Sequence, residues 1–260
     1  MNDFNHALNP ALHNPEIDGS AFFWQAGPVG ILLSHGFTAT AAEVRPFARQ
    51  LHERGFTVAG PLLPGHGTSP EDLNRTRWQD WYQAFETSYG KLRASCESVI
   101  IGGESMGGCL ALQHAIQHAE SDGLLLYAPA LKLRMTAANR LRLRLMAPFI
   151  LAVPKANMKD DTLYPWQGYR VNPLRATLQL LKLQDVIRPK LARIYQPVLV
   201  IQGRLDVPVH PDTPEIIAQG VSSEIVEVHW LEQTAHTVLL DQEFDQVLEL
   251  TLAFIDRVLA

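Results

Sequence analysis

Residues 98–118 read SVIIGGESMGGCLALQHAIQH, and the change of pattern at their centre restricts the possible folds more than any other stretch. Ser98–Ile101 has the apolar, β-branched make-up of a buried strand. From Cys109 onward the apolar residues fall at helical spacing. Between the two, Ser105 is flanked by glycines. An ordinary surface turn accepts that composition, and so does a phosphate-binding loop. The phosphate loop fails, because no Lys-Ser/Thr pair follows the glycines. Gly103-Glu104-Ser105-Met106-Gly107 instead fits G-x-S-x-G with a strand before it and a helix after it. Glycines are needed in such a turn, because side chains there would clash with the adjoining strand and helix. The turn lifts the serine hydroxyl clear of the sheet and leaves N–H groups at a helix start free to bind an anion.

The same strand-then-helix rhythm runs through the chain. Strands are predicted at 30–36, 56–61, 98–103, 123–129, 197–203 and 223–232, with helices at 41–55, 78–96, 106–118, 211–220 and 241–259. Alternation of this kind implies an α/β fold, a mostly parallel sheet with helices on both faces. Ligands in such sheets bind beyond the carboxyl ends of the strands. Residues 130–190 break the rhythm, with helical fragments punctuated by Pro148, Pro154, Pro165 and Pro173. They read as a cap inserted into one domain spanning residues 1–260. A chain of 260 residues, 47% hydrophobic, has enough apolar mass for a single core of that size.

A serine hydroxyl becomes a useful nucleophile only beside an oriented base, and ten histidines compete for that position. His6 and His13 fall in a polar N-terminal stretch, and His52, His114 and His118 on helices whose usual role is a solvated face. His35 and His66 belong to Gly-rich turns, and His229 alternates within a strand. His210 and His236 remain. His236 lies in EQTAHTVLL, a loop after the last strand, where an imidazole can hang over Ser105; His210 ranks second. Asp206, three residues past Gly203 at another strand end, supplies the carboxylate that orients the ring. The order Ser105, Asp206, His236 is that of the α/β-hydrolases. Two oxyanion donors are expected, the backbone N–H groups of Phe37, after the first of these strands, and of Met106.

Composition narrows the partners. A net charge of −5 offers no basic field for nucleic acid. The histidines show neither H-E-x-x-H nor Cys/His ligand spacing, so no metal or cofactor is implied. The first twenty residues lack the charged and apolar regions of a secretory signal, and no apolar run is long enough to span a bilayer. With only two cysteines, Cys96 and Cys109, a reduced cytoplasmic setting is expected.

The segments LLSHGFTATAAEVRPFARQLHERGFTVAGPLLPGHGTSPEDL, GGESMGGCLAL, PVLVIQGRLDVPV and TAHTVLLD together resemble the α/β-hydrolase superfamily, and within it bacterial carboxylesterases and monoacylglycerol lipases. The resemblance covers residues 30–241. It implies hydrolysis of a small-molecule carboxylic ester, a medium-chain acyl ester or monoacylglycerol, through an acyl-enzyme beneath a small cap. The alternatives are an acyltransferase or C–C bond hydrolase on the same scaffold and, after these, a non-catalytic binding protein. The chain departs from the family at Glu104, where Leu, Tyr, Phe or His is commoner; a carboxylate there either changes pocket polarity or forms a salt bridge at the rim. Between Lys132 and Lys159 lie seven basic and no acidic residues: Lys132, Arg134, Arg140, Arg142, Arg144, Lys155 and Lys159. Two readings stand, a solvated face paired with acids such as Asp160 and Asp161, or peripheral contact with an anionic lipid surface. Phe37, Leu145, Phe149 and Ile150 are the expected substrate-binding side chains, with Leu141 and Leu143 beside them over an acyl tunnel.

Overall fold

The run Val29–Ser34 sends Ile31 and Leu33 to one face of a sheet and Leu32 to the other, and all three are fully buried. A strand buried on both faces needs helices on both sides, and the computed structural model, which describes residues 8–155 and 162–260, has that arrangement. His6, Lys159, Asp160 and Asp161 lie outside the described residues.

In chain order the first elements are β1 (Leu12–His13), β2 (Phe22–Trp24), β3 (Val29–Ser34), α1 (Arg45–Glu53), β4 (Thr57–Gly60), α2 (Pro70–Leu73), α3 (Trp78–Arg93), β5 (Ser98–Glu104) and α4 (Met106–Gln117). Then come β6 (Gly123–Tyr127), α5 (Ala137–Met146), β7 (Ala152–Pro154), β8 (Gly168–Tyr169), β9 (Val171–Pro173) and α6 (Leu174–Ile187). The chain closes with β10 (Val198–Gly203), α7 (Thr213–Gly220), β11 (Val226–Leu231) and α8 (Phe244–Leu259).

The main sheet runs β11-β10-β6-β5-β3-β4-β2, parallel throughout except for β2, which lies antiparallel to β4 at one edge. From β3 the chain goes first to β4 on one side and then to β5 on the other. That reversal opens a crevice beyond the carboxyl ends of β3 and β5, the usual ligand position in open α/β sheets. The register Ser34↔Gly103 brings those two strand ends level. One core lies under α3, α4 and α6 and includes Trp81, Phe85, Leu110 and Leu183. The other lies under α1 and α8 and includes Phe47, Leu51, Val247 and Phe254.

Element limits shift for local reasons. The helix expected from residue 41 begins as a 3-10 turn, Ala41–Glu43, with Thr40 as its side-chain cap. α1 then starts afresh with Pro46 in its first turn, where a missing N–H costs nothing. His13 belongs to no tail: β1 pairs antiparallel with β8, and Arg170 Nη2 is 2.9 Å from His13 Nδ1.

Residues 130–190 divide into two parts. α6 sends Ala176, Leu180, Leu183 and Ile187 into the main core, so it is a flanking helix of the sheet. α5 meets α6 through a small separate cluster of Leu143, Ala147, Leu174 and Leu181. The short pairs β7–β9 and β1–β8 complete the layer above the crevice.

Candidate active site

The two motif glycines are required for space. A Cβ on Gly103 would stand 2.2 Å from the Ser34 carbonyl oxygen, and one on Gly107 2.0 Å from the same atom. With no side chains there, β5 and α4 close onto the end of β3. Ser105, between them, takes φ 54°, a left-handed conformation rare for a residue with a side chain. Its N–H donates to Tyr127 O at 2.8 Å and its carbonyl accepts from Ala130 N at 3.0 Å, so the strained turn is held from β6 and the loop after it.

His236 reaches this serine from the loop after β11. Its Nε2 lies 2.9 Å from Ser105 Oγ and its Nδ1 2.7 Å from Asp206 Oδ2. A carboxylate oxygen only accepts, so the ring proton sits on Nδ1 and the Nε2 lone pair faces the serine hydroxyl. Asp206 is buried, and further bonds fix it: Gln202 Nε2 donates to Oδ2 at 2.6 Å and Val209 N to Oδ1 at 2.9 Å. Arg134 ties the same loop down by donating to the carbonyls of Asp206 and Val209 at 3.0 and 3.1 Å. Gly203 lets this loop meet the His236 loop, since a Cβ there would lie 2.2 Å from Thr234 O. Burial opposes a charged His236 ring, but Asp206, by charge and hydrogen bond, outweighs it, and Glu43 adds to the same effect. The imidazole pKa is raised above 6.5.

Phe37 and Met106 both border this point. Met106 opens α4, where a helix leaves its first N–H groups unpaired. Phe37 N–H has no protein acceptor among the described residues. Its neighbours are pinned on both sides: Gly36 N donates to Glu43 Oε2 at 2.5 Å, and Lys155 Nζ donates to Thr38 Oγ1 at 2.6 Å. Trp166 joins these two clamps, because its Nε1 donates to Glu43 Oε1 at 2.8 Å while Lys155 stands 4.2 Å above its ring. Burial pushes the Glu43 carboxyl up, and burial brings Lys155 down to about 8 against the attraction of Glu43.

Arrangements of this kind have known relatives. The family described as serine aminopeptidase, S33, matches residues 29–243. The thermostable monoacylglycerol lipase of Bacillus sp. (strain H-257) is 34% identical over 246 residues, covering 92% of this chain and 96% of that protein. The chain belongs to this family of α/β hydrolases. The hydrolase is also 28% identical to a carboxylesterase of Bacillus subtilis (strain 168), over 91% of this chain and 96% of that one. A solved structure described under LipS and LipT, two metagenome-derived lipolytic enzymes, superposes with a TM-score of 0.85 at 30% identity, covering 92% of this chain and 98% of its own.

Other expectations require correction. Leu145 and Phe149 are 65% and 88% exposed, and Leu141 and Ile150 are exposed as well, so they wall no covered tunnel; only Leu143 of that group turns inward, toward Leu174 and Leu181. The helix α5 is anchored through Leu143, with the half-buried Met146 beside it, while Leu141 and Leu145 face outward. Glu104 forms no salt bridge at a rim. It is buried, and its two oxygens accept from Val238 N and Leu239 N, each at 3.0 Å. His210 pairs with Asp212 at 3.3 Å, away from Ser105. His114 is fully buried and no solvated face. The basic stretch is largely engaged within the fold: Lys132 with Asp212, Arg140 with Asp185, Arg134 with the Asp206 loop and Lys155 with Thr38. Arg142 and Arg144 remain exposed on α5. Among the described residues no helix is long and apolar enough to cross a membrane.

Sequence reasoning missed Glu43, Lys155, Trp166 and Gln202. Glu43 carried a signal, a carboxylate at the start of an otherwise apolar turn; the others are brought in by tertiary contacts that leave no local pattern.

Proposed function

We propose that this hydrolase cleaves carboxylic esters, medium-chain acyl esters and monoacylglycerols among them, through an acyl-enzyme on Ser105. The observation that carries the reading is the continuous line Ser105 Oγ, His236, Asp206, with links of 2.9 and 2.7 Å. Ser105 Oγ attacks the ester carbonyl carbon while His236 Nε2 takes the hydroxyl proton. The carbonyl oxygen becomes an oxyanion held by the N–H groups of Phe37 and Met106. The intermediate collapses, His236 returns the proton to the leaving alcohol, and the acyl group stays on Ser105. Water then attacks by the same route, and the acid departs. Asp206 keeps the ring in the productive tautomer and stabilises its cation.

The names of the two Bacillus relatives, a monoacylglycerol lipase and a carboxylesterase, support ester substrates with small alcohol leaving groups. Cys96 and Cys109 are free and buried, which supports a reducing, cytoplasmic setting. Leu141 and Leu145 on α5 and Phe149, in the turn after it, are exposed at four-residue intervals beside Arg142 and Arg144. We assign that strip to peripheral contact with an anionic lipid surface, because apolar and cationic side chains together suit it.

The test is product analysis with wild type and Ser105→Ala on p-nitrophenyl esters and monoacylglycerols of graded acyl length. Release of free acid, abolished in the variant, is expected. Undiminished turnover by Ser105→Ala overturns the mechanism, and release of a transferred acyl product without free acid overturns the reaction class.

A further inference from the structure

We propose that Glu86, His114 and His118 form a binding site for a divalent transition-metal ion of the zinc and cobalt class, at the end of α4 remote from Ser105. His114 lies in the last turn of α4 and His118 is the extended residue just past its end, which brings the two rings together with centroids 4.7 Å apart. Glu86 faces them from the middle of α3. One of its oxygens meets His114 Nδ1 and the other lies 3.2 Å from His118 Nε2. All three donor atoms lie within 4.8 Å of one another.

Two imidazoles and a carboxylate are the donor set that zinc and cobalt accept, and magnesium and calcium disfavour imidazole. Metal–donor bonds of about 2.0–2.2 Å in a tetrahedron place donors roughly 3.3–3.5 Å apart. The Glu86–His118 separation is already close to this. His114 Nδ1 is hydrogen-bonded to Glu86, and an ion taking the place of that proton would sit between the two groups. The half-buried Glu86 and the more exposed His118 are free to adjust, whereas His114 is not. Its ring packs against Tyr89, centroids 4.2 Å apart, and against Phe85. Its Nε2 is buried without a partner, so all the polar company of this ring is at Nδ1, facing Glu86.

The far side of the cluster is accessible. His118 is 39% exposed and Glu86 23%, which gives an ion a path in and leaves room for water as a fourth ligand. Behind His118 Nδ1 stands the Glu120 carboxylate at 3.8 Å, which adds negative charge beside the cluster. His118 is also held through its backbone, where Gln196 Nε2 donates to its carbonyl at 2.9 Å. At about 1.5 Å per residue, His114 lies about 14 Å along α4 from its Ser105 end, and His118 follows just past the other end. An ion there would clamp α4 to α3 without touching the ester chemistry.

The experiment uses the full chain, stripped with a chelator and titrated with CoCl2, ZnCl2 or MgCl2. Cobalt should give the visible absorption of a low-coordinate nitrogen–oxygen site at one equivalent. Zinc should displace it and raise the Tm, and magnesium should do neither. His118→Gln and Glu86→Gln, both at accessible positions that leave the core intact, should weaken cobalt and zinc binding by about 100-fold or more, since removal of even an outer partner costs 10- to 100-fold. Hydrolysis of a soluble ester should be unchanged in both variants. Absence of cobalt absorption, an equal zinc effect on the Tm of His118→Gln, or an equal response to magnesium overturns the site and leaves a hydrogen-bonded clamp between the helices.

Discussion

The Glu104 carboxyl accepts the N–H of Val238 at 3.0 Å across 134 positions of sequence, and so joins the residue before Ser105 to the loop that carries His236. The next N–H, of Leu239, goes to the other oxygen. Two more carboxylates hold the same loop: Asp241 accepts from Ala235 N at 2.7 Å, and Glu243 from Gln233 N at 2.8 Å and Thr234 Oγ1 at 2.6 Å. A loop with no neighbouring strand must find acceptors elsewhere, and here side chains provide them.

Glu104→Leu should therefore strand two buried N–H groups, each costing about 1–3 kcal/mol. The expected result is a lower Tm and a kcat that falls more than KM changes, because His236 loses its fixed position. Glu104→Gln retains one acceptor and should do less harm. Burial, with Glu43 nearby, pushes the Glu104 pKa well above 4.5. The folded chain thus holds a proton that the unfolded chain releases near 4.5. That contribution is complete below 4.5 and is lost as pH rises through the folded pKa. Glu104→Gln should remove this dependence, so its Tm should gain on wild type as pH rises from 4.5. Parallel Tm-against-pH curves would contradict the assignment.

On the proposed mechanism, the charge on His236 should set the acidic limb of activity. Only the neutral ring accepts the Ser105 proton, and Asp206 holds its pKa above 6.5. The limb in kcat/KM should lie above that value. Asp206→Asn should lower turnover by about four orders of magnitude, through the wrong tautomer, and should shift what remains of the limb downward. His236→Ala should be equally damaged, and His210→Ala should keep most of its activity. A pH profile on soluble esters decides this, and reversed behaviour of the two histidine variants would transfer the base to His210.

Much of this was legible in the sequence, because the signals were local. The strand-to-helix switch around Ser105, the strand ends before Asp206 and the polar loop at His236 each occupy a few contiguous residues. β2 was not legible, being three residues, Phe22–Trp24, that pair only because β4 offers an edge. Whether Leu145 and Phe149 are covered was not legible either, for a related reason. Helical spacing shows that α5 is apolar on more than one face, yet only the tertiary fold decides that Leu143 and Ala147 meet α6 while the others face outward. His114 was misjudged because a histidine on a helix looks the same whether α3 covers it or water does.

Lys155 should govern the alkaline side. As a cation it donates to Thr38 Oγ1, next to Phe37, while Glu43 holds Gly36. Burial, opposed by Glu43, brings its pKa to about 8. Above that pH the charged donor is lost and the loop of Gly36, Phe37 and Thr38, the proposed oxyanion loop, should loosen, so kcat should decline with a midpoint near 8. Lys155→Arg, which stays charged, should move the decline upward. Lys155→Met should lower kcat about ten- to 100-fold at every pH, the scale of a small misplacement of catalytic groups, with little change in KM. An alkaline limb that does not move in Lys155→Arg would assign it to another group.

The exposed strip of α5 makes the last prediction. Arg140 is paired with Asp185, so among the described residues of this basic stretch Arg142 and Arg144 are the exposed cations left to meet a lipid surface. Each contributes about 1 kcal/mol near an anionic membrane, fading beyond a Debye length of about 8–10 Å. Leu141, Leu145 and Phe149 would add burial of apolar surface at about 25 cal/mol per Å². Binding to anionic vesicles should exceed binding to neutral ones, and salt should narrow the gap. Replacing Arg142 and Arg144 with Gln should remove the preference for anionic vesicles and leave some neutral binding. Replacing Leu145 and Phe149 with Ser should weaken both. Replacing the two arginines should leave hydrolysis of a soluble ester unchanged, because both side chains face solvent. Equal binding of wild type to both vesicle types would reduce the strip to a solvated helix face.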